Sequence, residues 1–345
     1  MKTHRIHFAN TFCVKLSYST ETIATVKILD EYHSMLLGAS ETLPVVGDVI
    51  VDESLELPSG AVELRKGILY ETSEGLYLHS ATSIIKLALS PASFRIVLGS
   101  KADADIAFFT LEMLVRIYAP LFNLVFLHTG AFIYEGRVIT VSAFGGVGKT
   151  EVMLYALERG AKFISDDFAI LNAKGEVFPY TKKIYLCEYP YTETMLRRLH
   201  KSKWLYRLKT FCLHHPGRFK SHVADWLESR YFGVKLDYTD ITSTETSAQF
   251  YPISDFYWAE SSDETKTSFI SKEDFVKKMS LCLDIESRRY FDYDGYLRLK
   301  YPFLETHKAK QRDVLTSIAK NVEVKAVTVR GRDFDDLAQL ILLNR

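Results

Sequence analysis

The chain has 345 residues, 47% hydrophobic and 25% charged, so it holds ample apolar material for a core, and the composition excludes disorder. Its 43 Lys and Arg side chains balance 43 Asp and Glu, which removes any global electrostatic footprint for nucleic acid or an anionic membrane. The length favours two domains, or one domain with a large elaboration.

The first hundred residues read mostly as strands. Arg5 to Tyr18 is rich in β-branched and aromatic residues, and Val45 to Val51, Ala61 to Tyr70, Gly75 to His79 and Ser93 to Leu98 follow. Turn formers separate them, among them Gly47-Asp48, Pro58-Ser59-Gly60 and Ser90-Pro91. The period then changes. Asp103 to Tyr118 sets Ile106, Leu111, Leu114, Val115 and Tyr118 near helical spacing, and Pro120 marks the end. Leu124 to Tyr134 and Arg137 to Ser142 are β-rich apolar runs with Gly136 in the turn between them. A glycine-rich loop leads into a helix over Lys149 to Arg159, stopped by Gly160. Strands are predicted at Lys162 to Ser165, Phe168 to Leu171, Glu176 to Tyr180 and Phe250 to Ala259. A helix at Lys272 to Asp284 and a strand–helix pair at Val322 to Leu343 close the chain.

Cys13, Cys187, Cys212 and Cys282 form no C-x-x-C pair, which excludes a zinc ribbon and a disulfide framework and suits a reducing cytoplasm. The opening MKTHRIHFANTF lacks the apolar run of a secretory signal. The most apolar stretch, Ile106 to Tyr134, is interrupted by Glu112, Arg116, Pro120, Asn123 and His128, short of the ~18 uncharged residues a membrane span requires. A soluble, cytoplasmic protein without a membrane partner is expected.

One segment carries recognisable chemistry. Ala143-Phe144-Gly145-Gly146-Val147-Gly148-Lys149-Thr150 is a phosphate-loop (Walker A) sequence with Ala in place of the first Gly. Gly145, Gly146 and Gly148 permit backbone angles that aim successive N–H groups at an anion, and the following helix presents its positive end to the same phosphates. Lys149 would reach the β- and γ-phosphates of ATP, and the Thr150 hydroxyl would coordinate Mg²⁺. The next strand ends in Asp166-Asp167, where open α/β sheets place their ligand-binding groups. Adjacent residues of an extended chain point oppositely, so one carboxylate would face metal and the other a substrate hydroxyl. By pattern alone, His128 in an apolar strand reads as a core residue.

The segment from His128 to Asp167 resembles the kinase domain of bacterial HPr kinase/phosphorylase and its wider relatives. Gly146-Val147-Gly148-Lys149-Thr150-Glu151, Arg159-Gly160 and Asp166-Asp167 fall at that family's spacing. His128 stands where the family carries an H-G pair, with Thr129 in place of the Gly. The resemblance implies a P-loop α/β fold of the HPr-kinase-like, phosphoenolpyruvate-carboxykinase-related type over residues 101–345, preceded by a β-rich region over 1–100. It implies an ATP-dependent kinase acting on a hydroxyl, with a Ser in a protein or peptide as the expected acceptor. Asp166 would be the base, His128 its partner, and Lys149 a catalytic cation. ATP would be held by Gly145, Gly146, Val147, Gly148, Lys149 and Thr150, and Mg²⁺ by Thr150 and Asp167. The sequence departs from the family at Ala143, Phe144 and Gly145, where Gly, Asp and Ser are usual, and the family's later catalytic Arg is not placed.

Residues 195–222 hold eight Lys and Arg, four His and no acidic residue, within an insertion at about 190–247. This stretch reads either as a basic lid that clasps an acidic peptide or nucleotide phosphates, or as a solvated helix face. No nucleic-acid recognition motif accompanies it, and homo-oligomerisation is left open. Two other functions also stay open: a nucleotide-gated regulator without phosphotransfer, and a kinase of small-molecule hydroxyls.

Overall fold

The computed structural model of the protein describes residues 1–36, 43–80, 82–144, 147–180, 184–186, 234–236, 247–290, 294–330 and 334–343. They belong to two compact units. One comprises Met1–Phe126, Ile170–Glu176 and Val276–Asn321; the other comprises Leu127–Ala169, Val177–Phe275 and Val322–Arg345. Both mix helices with sheets, so the chain is of the α/β class.

The first unit is built on an eight-stranded mixed sheet. Its strands are β1 (Lys2–Phe8), β2 (Phe12–Tyr18), β3 (Val45–Val51), β4 (Val62–Arg65), β5 (Leu69–Thr72), β6 (Gly75–Ser80), β7 (Ser83–Leu89) and β8 (Phe94–Leu98). The spatial order is β1-β2-β3-β8-β7-β6-β5-β4. The predicted strand at Ala61 to Tyr70 is two strands, because Gly67 adopts φ +68 and turns the chain between β4 and β5. A helix, α1 (Ile23–Glu31), lies among residues that read as β-rich; Thr22 caps it, its side chain accepting from the Thr25 N–H. The next helix, α2 (Ala104–Tyr118), starts as its sequence predicts: the Asp103 side chain accepts from the N–H groups of Asp105 and Ile106.

The sequence suggests a boundary near residue 100, but the compact units divide after Phe126. The reason is visible in α2. Lys27 of α1 pairs with Asp105 at 3.2 Å, and the Tyr118 phenol donates to the carbonyls of Ser90 and Ser93 at 2.5 and 3.0 Å. Those contacts fasten the helix to α1 and to the turn between β7 and β8.

Strand β9 (Leu124–Leu127) leads into the second unit and its six-stranded sheet. In chain order come β10 (Thr129–Tyr134), β11 (Arg137–Ala143), helix α3 (Lys149–Glu158) and β12 (Lys162–Ser165). Short strands follow as β13 (Ala169–Asn172), β14 (Glu176–Phe178), the antiparallel pair β15 (Ile184–Leu186) and β16 (Val234–Leu236), and β17 (Tyr251–Pro252). The remainder is β18 (Asp255–Ser262), β19 (Lys266–Phe269), α4 (Lys272–Tyr290), α5 (Asp294–Lys300), α6 (Leu304–Asn321), β20 (Val324–Arg330) and α7 (Phe334–Leu343). Helices α5 and α6 belong to the first unit.

The six-stranded order is β12-β10-β11-β18-β20-β19. Strands β11, β18 and β20 run parallel, and β10 is antiparallel to both β11 and β12. Hence β12 runs with β11, and α3 is the crossover between them. Val141, Val152, Phe163, Tyr257, Val327, Leu337 and Ile341 close a core between the sheet, α3 and α7. Burial of one such side chain is worth ~1.5–3 kcal/mol, so this core fixes where the strand ends fall.

Among the described residues no helix is long and apolar enough to cross a membrane. Cys13 and Cys282 are buried, and Cys187 and Cys212 lie outside the described residues. The basic segment 195–222 also lies outside them, as do Gly145 and Gly146.

Candidate functional site

Strand direction alone gathers the site. The ends of β11 and β12 and the beginning of antiparallel β10 share one edge of the second unit's sheet. That edge therefore carries the loop after Ala143, the pair Asp166-Asp167 and His128. Strand β11 is buried along almost its whole length, and Ala143 is fully enclosed, in register with Ala259. Phe144 then stands edge-on to the Trp258 ring at 5.0 Å and anchors the start of the loop. Sequence reasoning passed over Trp258, whose indole N–H donates to Glu260 two residues on.

Gly148 opens α3 with φ +105, a conformation an L side chain enters only under strain, and it contributes no side-chain cap. The helix start thus keeps its N–H groups free of a competing side-chain oxygen from the cap position. Lys149, Thr150 and Glu151 are all buried. The Lys149 ammonium donates back to the Ala143 carbonyl at 3.3 Å, so the cation lies against the end of β11.

The Thr150 hydroxyl donates to Asp166 Oδ1 at 3.1 Å. Asp166 is only 5% exposed, and burial pushes its carboxyl up, to about 7, with the Asp167 charge acting in the same direction. The Asp167 N–H, the Lys149 ammonium and the Thr150 hydroxyl oppose that shift. Gly130 forms the floor here. A Cβ on it would sit 3.9 Å from both Asp166 Oδ1 and the Lys149 carbonyl oxygen. Ser165, fully buried just before the pair, has a hydroxyl with no hydrogen-bond partner among the described residues.

After Asp166 the chain does not stay extended. The Phe168 N–H donates to the Asp166 carbonyl at 2.7 Å across Asp167, which has φ +61. A three-residue bond around a positive φ is the strained form of the γ-turn. It presents Asp167, with a side chain 45% exposed, to His128, where Nε2 and Oδ1 are 3.9 Å apart. It also lays the Phe168 ring over the His128 imidazole, 5.5 Å between centroids and 26° between planes. Ser142 fixes the same histidine from the other side by donating to its carbonyl at 2.8 Å.

The structure thus brings together His128, Lys149, Thr150, Asp166 and Asp167, with Val147 and Gly148 at the loop's exit. The expected metal pair, Thr150 with Asp167, is not the pair in contact: the threonine meets Asp166. Among the described residues no group of three or more His, Cys, Asp or Glu is placed to hold a metal ion. A threonine hydroxyl and one carboxylate are too few for zinc. They suit Mg²⁺, which keeps several waters and takes its other oxygens from a phosphate ligand. No protein-family model matches the chain, and no curated protein matches it.

Proposed function

We propose that the chain is an ATP-dependent phosphotransferase with an HPr-kinase-like P-loop fold, transferring the γ-phosphoryl group to a hydroxyl, with serine in a protein or peptide as the acceptor class. The observation that carries this reading is the Thr150–Asp166 hydrogen bond at the start of a glycine-capped helix, with the Lys149 ammonium buried beside it.

In this reading the N–H groups opening α3 and the Lys149 side chain hold the phosphates, the lysine leaving the Ala143 carbonyl to do so. Thr150 and one carboxylate of the 166–167 pair hold Mg²⁺, which when bound neutralises charge on the phosphoryl oxygens. The other carboxylate, with His128 beside it, orients the acceptor hydroxyl and takes its proton, a contribution of roughly 10²–10⁴ in rate. Burial of Lys149 and Asp166 keeps water from screening these charges.

Calorimetric titration of Mg·ATP into the wild type and Lys149→Ala tests the reading. Binding that requires Mg²⁺ and weakens by roughly 10–100-fold in the variant is expected. A folded wild type that binds no Mg·ATP sinks the proposal. Mg²⁺-dependent binding without transfer to any hydroxyl acceptor would favour a nucleotide-gated regulator.

A further inference from the structure

The first unit holds a cavity of its own. We infer that it binds a free amino acid with a branched aliphatic side chain, Asp284 taking the ammonium and Lys308 the carboxylate. Helices α2, α4 and α6 line the space with the apolar side chains of Phe109, Met113, Ile117, Leu283 and Leu304. At about 60 Å³ it exceeds several-fold the roughly 10–15 Å³ that one water needs, and it falls well short of the ~150 Å³ that takes up benzene. That size suits a branched chain of the leucine type and not an aromatic ring. The wall lies wholly within the first unit, so the inference stands apart from the phosphotransfer reading.

Charge on the wall decides the class of ligand. Asp284 of α4 and Lys308 of α6 both line the cavity, and they pair with each other at 2.9 Å. Arg116 and Arg298 line it too, but among the described residues their carboxylate partners, Glu112 and Glu305, do not. The Asp284–Lys308 pair therefore offers both signs of charge beside an apolar floor, which a zwitterion with an apolar tail complements. Entry is open. The two side chains are 36% and 31% exposed, and an ion pair at that exposure is weakly held against water. A ligand that parts it replaces one ion pair by two. Glu286, buried on the same helix as Asp284, adds a second carboxylate to the α4 side, so the ammonium is directed to α4 and the carboxylate to α6. His307 of α6 adds no further cation. Burial pushes its imidazole below the ordinary range, helped by the Lys310 charge, and its Nε2–H donates to the Pro91 carbonyl at 3.0 Å.

Titration calorimetry of the full chain with L-leucine, leucinamide, N-acetylleucine and L-alanine tests each part of the assignment. Leucine should saturate one site. Leucinamide lacks the carboxylate and N-acetylleucine the ammonium, so each should bind roughly 10–100-fold more weakly. Alanine lacks three carbons of the chain and should bind roughly 50-fold more weakly. Lys308→Met keeps the apolar stem and removes the charge. It should weaken leucine to the level of leucinamide while leaving leucinamide itself within about twofold, a split that a merely structural loss does not give. Ile117 is only partly buried on the wall, so Ile117→Trp should fill the cavity and abolish leucine binding. Thermal unfolding checks that this variant is folded, and if it is not, the two Lys308→Met titrations decide. A folded wild type with no saturable leucine binding, its cavity holding only water, overturns the proposal. So does leucinamide or N-acetylleucine binding as tightly as leucine, leucine binding that is unchanged in folded Ile117→Trp, or an unchanged leucine-to-leucinamide ratio in Lys308→Met.

Discussion

The two edges of the second unit's sheet each bury an aspartate, and the two are treated in opposite ways. At one edge, where β18 begins, Asp255 is held by both Arg137 Nε at 2.9 Å and Lys325 Nζ at 3.2 Å. At the other edge, Asp166 receives a neutral hydroxyl, while the Lys149 ammonium donates to a backbone carbonyl. Both carboxylates are nine-tenths buried or more, so desolvation does not distinguish them. What differs is whether the charge is answered by a cation in direct contact. A clasped carboxylate ties three strands together and has no reason to change partners. A carboxylate with a depleted complement of cations stores free energy that an arriving Mg²⁺ can release.

The largest expected effect follows from that difference. The folded-state carboxyl of Asp166 is raised from 3.8 to about 7, so the native state binds a proton there over a range in which the unfolded chain has lost it. Native stability from this group is therefore full below about 4 and falls as pH rises through about 7. Without Mg²⁺, Asp166→Asn should remove that fall. Its stability advantage over the wild type should grow from near zero at pH 4 to on the order of 4 kcal/mol at pH 8. Urea denaturation at a series of pH values measures it, and an advantage independent of pH would break the contrast between the two edges.

At the clasped edge the same logic runs the other way. Arg137→Met leaves Asp255 with Lys325 alone and should destabilise the fold by about 2 kcal/mol, less than a fully buried pair because the arginine is partly exposed. Mg·ADP affinity should not change. A variant that loses nucleotide binding while remaining folded would show that Asp255 belongs to the site.

How much of this the sequence carried depends on how the information is encoded. Helix α3 and its stop at Gly160 were legible because apolar spacing, loop glycines and a positive-φ residue (Gly160, φ +87) all lie in the local pattern. The same holds for α2 with its Asp103 cap and for β3, whose bounds match the predicted run. Helix α1 was not legible. Ile23, Thr25, Val26 and Ile28 are β-branched and weaken the helical signal, and the capping box closes on threonine at its third position instead of the more familiar glutamate or glutamine. Helix α6 is hard to read because its buried positions, among them Leu304, His307, Val314 and Ile318, are sparse in a polar sequence. At the site the residues were legible and the partners were not. Whether Asp166 or Asp167 meets Thr150 depends on one backbone angle at a residue type that only sometimes turns left-handed, and no spacing rule reads that angle. Gly130 carried a usable signal, two residues after His128, since a glycine within a buried strand marks a close approach.

The smallest effect compares two helix starts. Helix α1 is closed by its own chain: the Thr25 N–H donates to Thr22 Oγ1 at 3.2 Å, and the Thr22 N–H donates to Thr25 Oγ1 at 2.8 Å. Helix α3 begins at Gly148 with no side chain to do this. Thr22→Ala should therefore cost about 1 kcal/mol, and Thr22→Ser should restore most of it, because the hydroxyl and not the methyl makes the cap. Thermal unfolding of the three proteins, each with and without Mg·ADP, tests both helix starts together. The cap's cost should be the same in either condition, and all three proteins should gain equally from Mg·ADP at α3. A cost at Thr22 that vanishes on adding Mg·ADP would place the ligand in the first unit and contradict the assignment of the phosphate site to Gly148, Lys149 and Thr150.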